Sequence, residues 1–298
     1  MTKITLLDGS IGQELVKLSG DKPTPLWSTS VMLNDPSLVL KVHDSYFQAG
    51  STVATTNTYT LLPDRLEKAG LGNDQLDALI TTAISLARES RDLNGVGRIA
   101  GSIGPLEGSY RPQACPPVEQ AAERYKQTVA LLAPSVDVLL IETMSSVEQA
   151  EGALRACCGK GKPVWLGVTV DDYDGSRLRS LEPLEGLKPL VEQYQPDAVL
   201  IMCSRPEVIT DALDTLRTFQ KPFGAYANGF SCISKEFVVM DAPTVDALHA
   251  RHDLTPQAYG DYCMKWIRQG ATIIGGCCEV GPAHIAEVAN RIRAAGHE

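Results

Sequence analysis

The chain has 298 residues, 44% of them hydrophobic, enough to bury a sizeable core in one or two domains. Its formal net charge of −9 disfavours nucleic acid and anionic membrane, which both require a basic face, and leaves small molecules as the expected partners. No apolar run approaches the roughly 18 residues of a membrane-spanning helix, and the opening MTKITLLDGS lacks the apolar stretch and cleavage site of a secretory leader, so a cytoplasmic protein is expected.

In chain order, the first β-rich run is KITLL, followed by DGSIGQEL, which lacks the glycine spacing of a phosphate-binding turn. A long irregular segment, SGDKPTPLWSTSVMLNDPS, precedes the second run, STVATT. The third run is RIAGSI, and the helix VEQAAERYKQTVALLA leads to the fourth, VDVLLIE. The helix SVEQAEGALRACC, which Ser146 is placed to cap, leads to VWLGVTV; DAVLIM and FGAY follow. A second long segment, NGFSCISKEFVVMDAPTVDALHARHDL, separates FGAY from the eighth run, TIIGG. Runs nearly continuous in Val, Ile and Leu suit parallel strands covered on both faces, and the intervening segments carry helical periodicity. Eight strands alternating with helices predict a single-domain (β/α)8 barrel over residues 1–298, with a doubly wound open sheet as the alternative. In a barrel both long segments sit on the C-terminal face, where barrel enzymes build their sites.

Polar residues gather at the C-terminal ends of these runs: Asp8, then Thr56 and Asn57, Glu142, Cys203, and finally Cys277 with Cys278. A barrel brings all of them to one mouth, where each must find a partner or face a cavity, because unpaired burial costs roughly 1–3 kcal/mol. Glu142 suits a cationic amino group or a neighbouring Arg or Lys. Asp8 suits a turn, or a polar anchor beside the N–H groups of a helix start. Trp27 is either lid packing or a face for an onium methyl donor. Eight cysteines in a cytosolic chain read as buried thiols, redox groups or metal ligands. The adjacent Cys157 and Cys158 end an amphipathic helix and read as semi-buried thiols; His249 and His252 show no ligand pattern. Cys277 and Cys278 follow a strand and two glycines. Neighbouring residues on a strand face opposite ways, so both can ligate one ion only where the backbone turns, a freedom expected here of Gly275 and Gly276. With Cys203 they make either a soft three-thiolate site suited to Zn²⁺, with a fourth position open, or three buried cysteines.

The stretches LLDGSIGQEL, LW…VHDSYFQAGSTVATTNTYT, SIGP, IETMSSVEQA, CSRPEV and IGGCCEVGPAHI, in this order over nearly the whole chain, resemble the homocysteine S-methyltransferase family. The resemblance implies a (β/α)8 barrel holding Zn²⁺ through Cys203, Cys277 and Cys278, with the homocysteine sulfur as fourth ligand. It also implies that Asp8 and Glu142 hold the substrate's amino end, and that the backbone at Ile11 and Gly12 meets its carboxylate. The expected partners are homocysteine and a methyl donor. Three departures limit what the resemblance carries over: Met202 stands where relatives often carry Asn, which changes the contact beside the upstream zinc cysteine, and Thr60 and Thr143 stand where betaine-using relatives carry aromatic residues. The chain is also expected to end just after the barrel, without a C-terminal arm. The lost rings and the expected lack of an arm favour a sulfonium donor, S-methylmethionine first and S-adenosylmethionine second. The alternatives are transfer to another small thiol or a selenol, or a barrel that binds homocysteine and zinc without turnover.

Overall fold

A computed structural model describes residues 3–20, 28–234, 237–238 and 247–297. Eight strands all pair in parallel: β1 (Thr5–Leu6), β2 (Val53–Thr55), β3 (Arg98–Ile103), β4 (Val138–Met144), β5 (Val164–Val168), β6 (Ala198–Met202), β7 (Phe223–Tyr226) and β8 (Ile273–Ile274). Each pairs with its neighbour in sequence, and β1 pairs with β8 through Thr5 opposite Ile273. The ring closes where Leu7 bridges Val53 and the Thr52 N–H donates to Leu6 O at 2.7 Å. The outcome is the expected (β/α)8 barrel.

Period-two alternation sorts the strand residues into two cores. Val138 and Leu140 of β4, with Ala198, Leu200 and Met202 of β6, fill the barrel interior. Leu139, Ile141, Val199 and Ile201 face outward against the helices. On β4 the inward series therefore continues to Glu142, one step above Leu140, at the rim.

The helices are α1 (Ile11–Ser19), α2 (Ser28–Asn34), α3 (Pro36–Gln48), α4 (Pro63–Lys68), α5 (Leu76–Asn94), α6 (Val118–Leu132), α7 (Val147–Cys157), α8 (Lys188–Tyr194), α9 (Pro206–Arg217), α10 (Pro256–Arg268) and α11 (Pro282–Ala294). Local chemistry sets several starts. Ser146 caps α7, as expected, by accepting from Gln149 N at 3.1 Å; Asp35 and Thr255 do the same for α3 and α10, each followed by proline at the first helical position. The first long segment is not all loop, since α2 forms within it. Cys157 is buried at the end of α7, on the outer layer, as its position suggested.

Parallel pairing of β7 with β8 requires glycine at 224, where an added Cβ would lie 1.9 Å from Ile273 O. Gly224→Ala is expected to destabilise the chain by about 3 kcal/mol, the upper end for overpacking. Urea unfolding checks this, and a variant as stable as the parent would refute the argument.

Candidate metal and substrate site

All three strand-end cysteines meet. The sulfurs of Cys203, Cys277 and Cys278 lie within 4.8 Å of one another, with Cys203 3.7 Å and Cys277 3.9 Å from Cys278. Two backbone devices bring them there. Met202 already faces the interior, so Cys203 would point outward on a regular strand; instead it takes a left-handed φ of +45° and joins the inner cluster. At β8 the turn is made after the glycines, not by them. Val280 N–H closes a turn on Cys277 O at 3.0 Å, with Cys278 and Glu279 at its centre and Glu279 at φ +63°.

The expected role of Gly275 and Gly276 is thereby corrected, since neither adopts a positive φ. They are glycine because β8 runs too close to its neighbours: a Cβ on Gly275 would meet Leu7 Cβ at 2.5 Å, and one on Gly276 would meet Val280 Cγ1 at 2.2 Å. The strained Glu279 is held instead by Gln13 of α1. The Gln13 side chain accepts from Glu279 N–H and donates to its carboxylate, both at 2.5 Å.

Three thiols are a donor set for a soft or borderline ion. Tetrahedral bonds of about 2.3 Å to sulfur place ligands about 3.8 Å apart, which the separations of 3.7 and 3.9 Å from Cys278 match. Burial pushes the Cys203 thiol up, but hydrogen bonds from Cys277, Cys278 and Tyr110 outweigh it and hold the thiol well below its ordinary value. Cys277 and Cys278 are pushed well above theirs, chiefly by their bonds to that sulfur. Without a metal the cluster thus carries one negative charge more readily than three.

The sulfurs open into a cavity enclosing about 910 Å³ of empty space, counting the part open to solvent. Asp8, Ile11, Gly12, Thr56, Asn57 and Glu142 all line it. Trp27 lies outside the described residues. Asp8 is 2% exposed and takes the Thr55 N–H at 2.6 Å and the Thr55 hydroxyl at 2.7 Å. Glu142 accepts from the Ser102 hydroxyl and from Tyr226 Oη at 3.0 Å. Burial raises both carboxyls to about 7, from ordinary values of 3.8 and 4.5, against the lowering effect of these donors. The side chain of Ser10 gives α1 no cap, bonding to Gln13 at 2.9 Å, so the first N–H groups of the helix lie uncapped on the cavity wall. Asn57 is less available: its amide bonds the Ser28 hydroxyl and, at 3.3 Å, Ser28 O, tying β2 to α2.

Several lining residues escaped the sequence reading. Aromatic rings come from Tyr59, Tyr110, Tyr226, Phe230 and Phe237. Tyr226 ends its strand, so the strand-end pattern could have found it; Phe230 and Phe237 lie in the second long segment. Nothing local marks Tyr110. The departures at Met202 and Thr143 turn out to touch: Thr143 donates to Met202 Sδ from its N–H at 3.1 Å and its hydroxyl at 3.2 Å.

The sequence model of a family described as homocysteine S-methyltransferase matches residues 5–292. Homocysteine S-methyltransferase of Escherichia coli (strain K12) is 30% identical over 308 aligned positions, covering 97% of this chain and 95% of its own length. Selenocysteine methyltransferase of Astragalus bisulcatus is 25% identical, covering 94% and 90%. Among solved structures, the homocysteine methyltransferase MmuM from Escherichia coli in its metallated form matches with a TM-score of 0.81 at 28% identity, covering 97% of this chain and 96% of that one.

The two raised carboxyls predict a pH dependence of the ligand-free protein. Between about pH 4 and 7 the folded chain keeps protons that the unfolded chain has released, so their stabilisation is present below pH 4 and lost as pH rises through 7. The slope is about 1.4 kcal/mol per pH unit per group. Thermal midpoints of the wild type are expected to fall across this range more steeply than those of Asp8→Asn or Glu142→Gln. Parallel profiles would contradict it.

Proposed function

The chain belongs to the homocysteine S-methyltransferase family, and we propose that it transfers a methyl group from a small sulfonium donor to the thiol of homocysteine, giving methionine, with Zn²⁺ held by Cys203, Cys277 and Cys278. S-methylmethionine is the favoured donor and S-adenosylmethionine the second. The observation that carries the reading is the spacing of the three sulfurs beside two buried carboxylates in one cavity. Zinc bound there would take the homocysteine sulfur as its fourth ligand and keep it a thiolate at neutral pH.

The protein's own groups supply the rest. Asp8 and Glu142 hold the substrate's ammonium group, whose charge offsets the cost that burial imposes on them. The uncapped N–H groups of Ile11 and Gly12 receive its carboxylate. Thr56 and Asn57 complete the polar lining of the cavity. The rings of Tyr59, Tyr110, Phe230 and Phe237 line the cavity, where they exclude water and give a sulfonium cation an aromatic surrounding in place of the rings absent at Thr60 and Thr143. The acceptor sulfur forms a bond to the methyl carbon as the carbon–sulfur bond of the donor breaks, and a neutral thioether leaves. Anion and cation become two neutral products, so a dry cavity speeds transfer relative to water. The proton of the homocysteine thiol passes to solvent as the sulfur binds, so no protein base is needed for the transfer itself.

The same site also suits a selenol acceptor, a second reading supported by the likeness to a selenocysteine methyltransferase and by the soft Met202 sulfur on the cavity floor. Competition between homocysteine and selenol acceptors separates the two.

About one zinc per chain is expected, lost together with methyl transfer in Cys203→Ala and Cys278→Ala; full activity in metal-free protein would sink the reading. In a donor panel read out as methionine, S-methylmethionine should lead, S-adenosylmethionine follow and betaine fail. Chelation followed by air oxidation should inactivate the protein, and reductant with zinc should restore it, because adjacent thiols without their metal oxidise to one another. Indifference to both treatments would point to three buried cysteines.

A further inference from the structure

We propose that Tyr110 is a positioning residue of the metal centre, whose hydroxyl donates to the Cys203 sulfur and fixes the direction in which that sulfur offers its lone pairs. The inference rests on the reading of Cys203 as a metal ligand and adds a residue outside the ligand set.

The Tyr110 hydroxyl lies 2.8 Å from Cys203 Sγ, and the side chain is buried. A neutral thiol is a weak acceptor and a thiolate a strong one, so a buried phenol aimed at this sulfur suits the ligating form. The backbone is bent to achieve this aim. Tyr110 has φ +61°, disfavoured for a bulky residue, in a loop that already turns through Glu107 at +63° and Gly108 at +135°.

The ring is mounted by two further loops. The Arg179 guanidinium covers one face, 5.1 Å from the centroid, and Phe237 meets the ring edge-on at 6.1 Å. Arg179 is itself fixed by a bidentate pair with Asp172 at 3.1 and 2.7 Å, both side chains under 10% exposed. Asp172 also accepts the Ile233 N–H at 2.8 Å. Segments following β3, β5 and β7 thus converge on one ring, and its single polar atom meets the sulfur. Such partners orient a ligand and draw charge from it, and their loss typically weakens metal binding about 10–100-fold.

Tyr110→Phe keeps the ring for Arg179 and Phe237 and removes only the donor. Zinc affinity, measured by competition with a chromophoric chelator, is expected to fall about 10–100-fold, and the sulfur-to-cobalt charge-transfer band of the Co²⁺-loaded protein is expected to shift. The metal-free thermal midpoint should stay unchanged; because the band is read on folded protein, it decides the matter even if the midpoint drops. Affinity within a factor of about two of wild type, with an unmoved band, overturns the proposal while leaving zinc ligation standing. A wild-type chain that takes up no zinc overturns both.

Discussion

Bringing three sulfurs within 4.8 Å of one another from the ends of two strands is the constraint on which the rest of this structure depends. The strands involved, β6 and β8, flank β7, so the barrel's curvature supplies the approach but not the aim. Alternation along each strand works against it, since Met202 and Cys203 are consecutive, as are Cys277 and Cys278. The chain resolves this with a left-handed residue at each end, Cys203 at +45° and Glu279 at +63°. Neither is glycine, so each position carries strain that its surroundings must offset. Gln13 does so at Glu279, through two hydrogen bonds from a helix at the other end of the sequence. At Cys203 the N–H bonds Tyr226 O at 3.0 Å, and the Asn228 amide bonds Cys203 O at 2.9 Å.

The site is also built around missing positive charge. Asp8, Glu142 and three thiols face one cavity, and among its described lining residues there is no Lys, Arg or His. Arg179, behind Tyr110, is committed to Asp172. Burial therefore pushes protons onto the carboxyls, and the bonds to the Cys203 sulfur push them onto the other two thiols. Such an arrangement is poorly suited to stability and well suited to receiving cations. On the proposed reading, a divalent ion answers the sulfurs and the substrate's ammonium answers the carboxylates.

The barrel was legible because its eight apolar runs are short, nearly continuous and regularly spaced, and the site because a barrel sends every strand end to the same rim. That rule found Cys203, Glu142 and Asp8 without reference to contacts. It failed where position is set by packing between distant segments. Gly275 and Gly276 read as sources of φ freedom, whereas their lack of a side chain answers the nearness of Leu7 and Val280, which no local pattern reveals. Asn57, expected to find a partner or face the cavity, does both, and which partner it takes, Ser28, no local pattern reveals. Tyr110 left no trace, because its importance lies in a bond to a residue 93 positions away and in a mount built from two other loops.

Desolvation links these features. The burial that raises the Asp8 and Glu142 carboxyls also removes the water that would otherwise stabilise a separated thiolate and sulfonium. A reaction that joins anion to cation gains from that removal, whereas one that creates charge would lose. The same burial would exact a penalty for a substrate's ammonium group unless two carboxylates met it, and for the metal unless three thiolates did. On the proposed reading the cavity therefore answers two cations by different chemistry: an ammonium at hard oxygen donors, and a sulfonium against polarisable rings. The acceptor sulfur can take a methyl group only from the second, since the ammonium carries none.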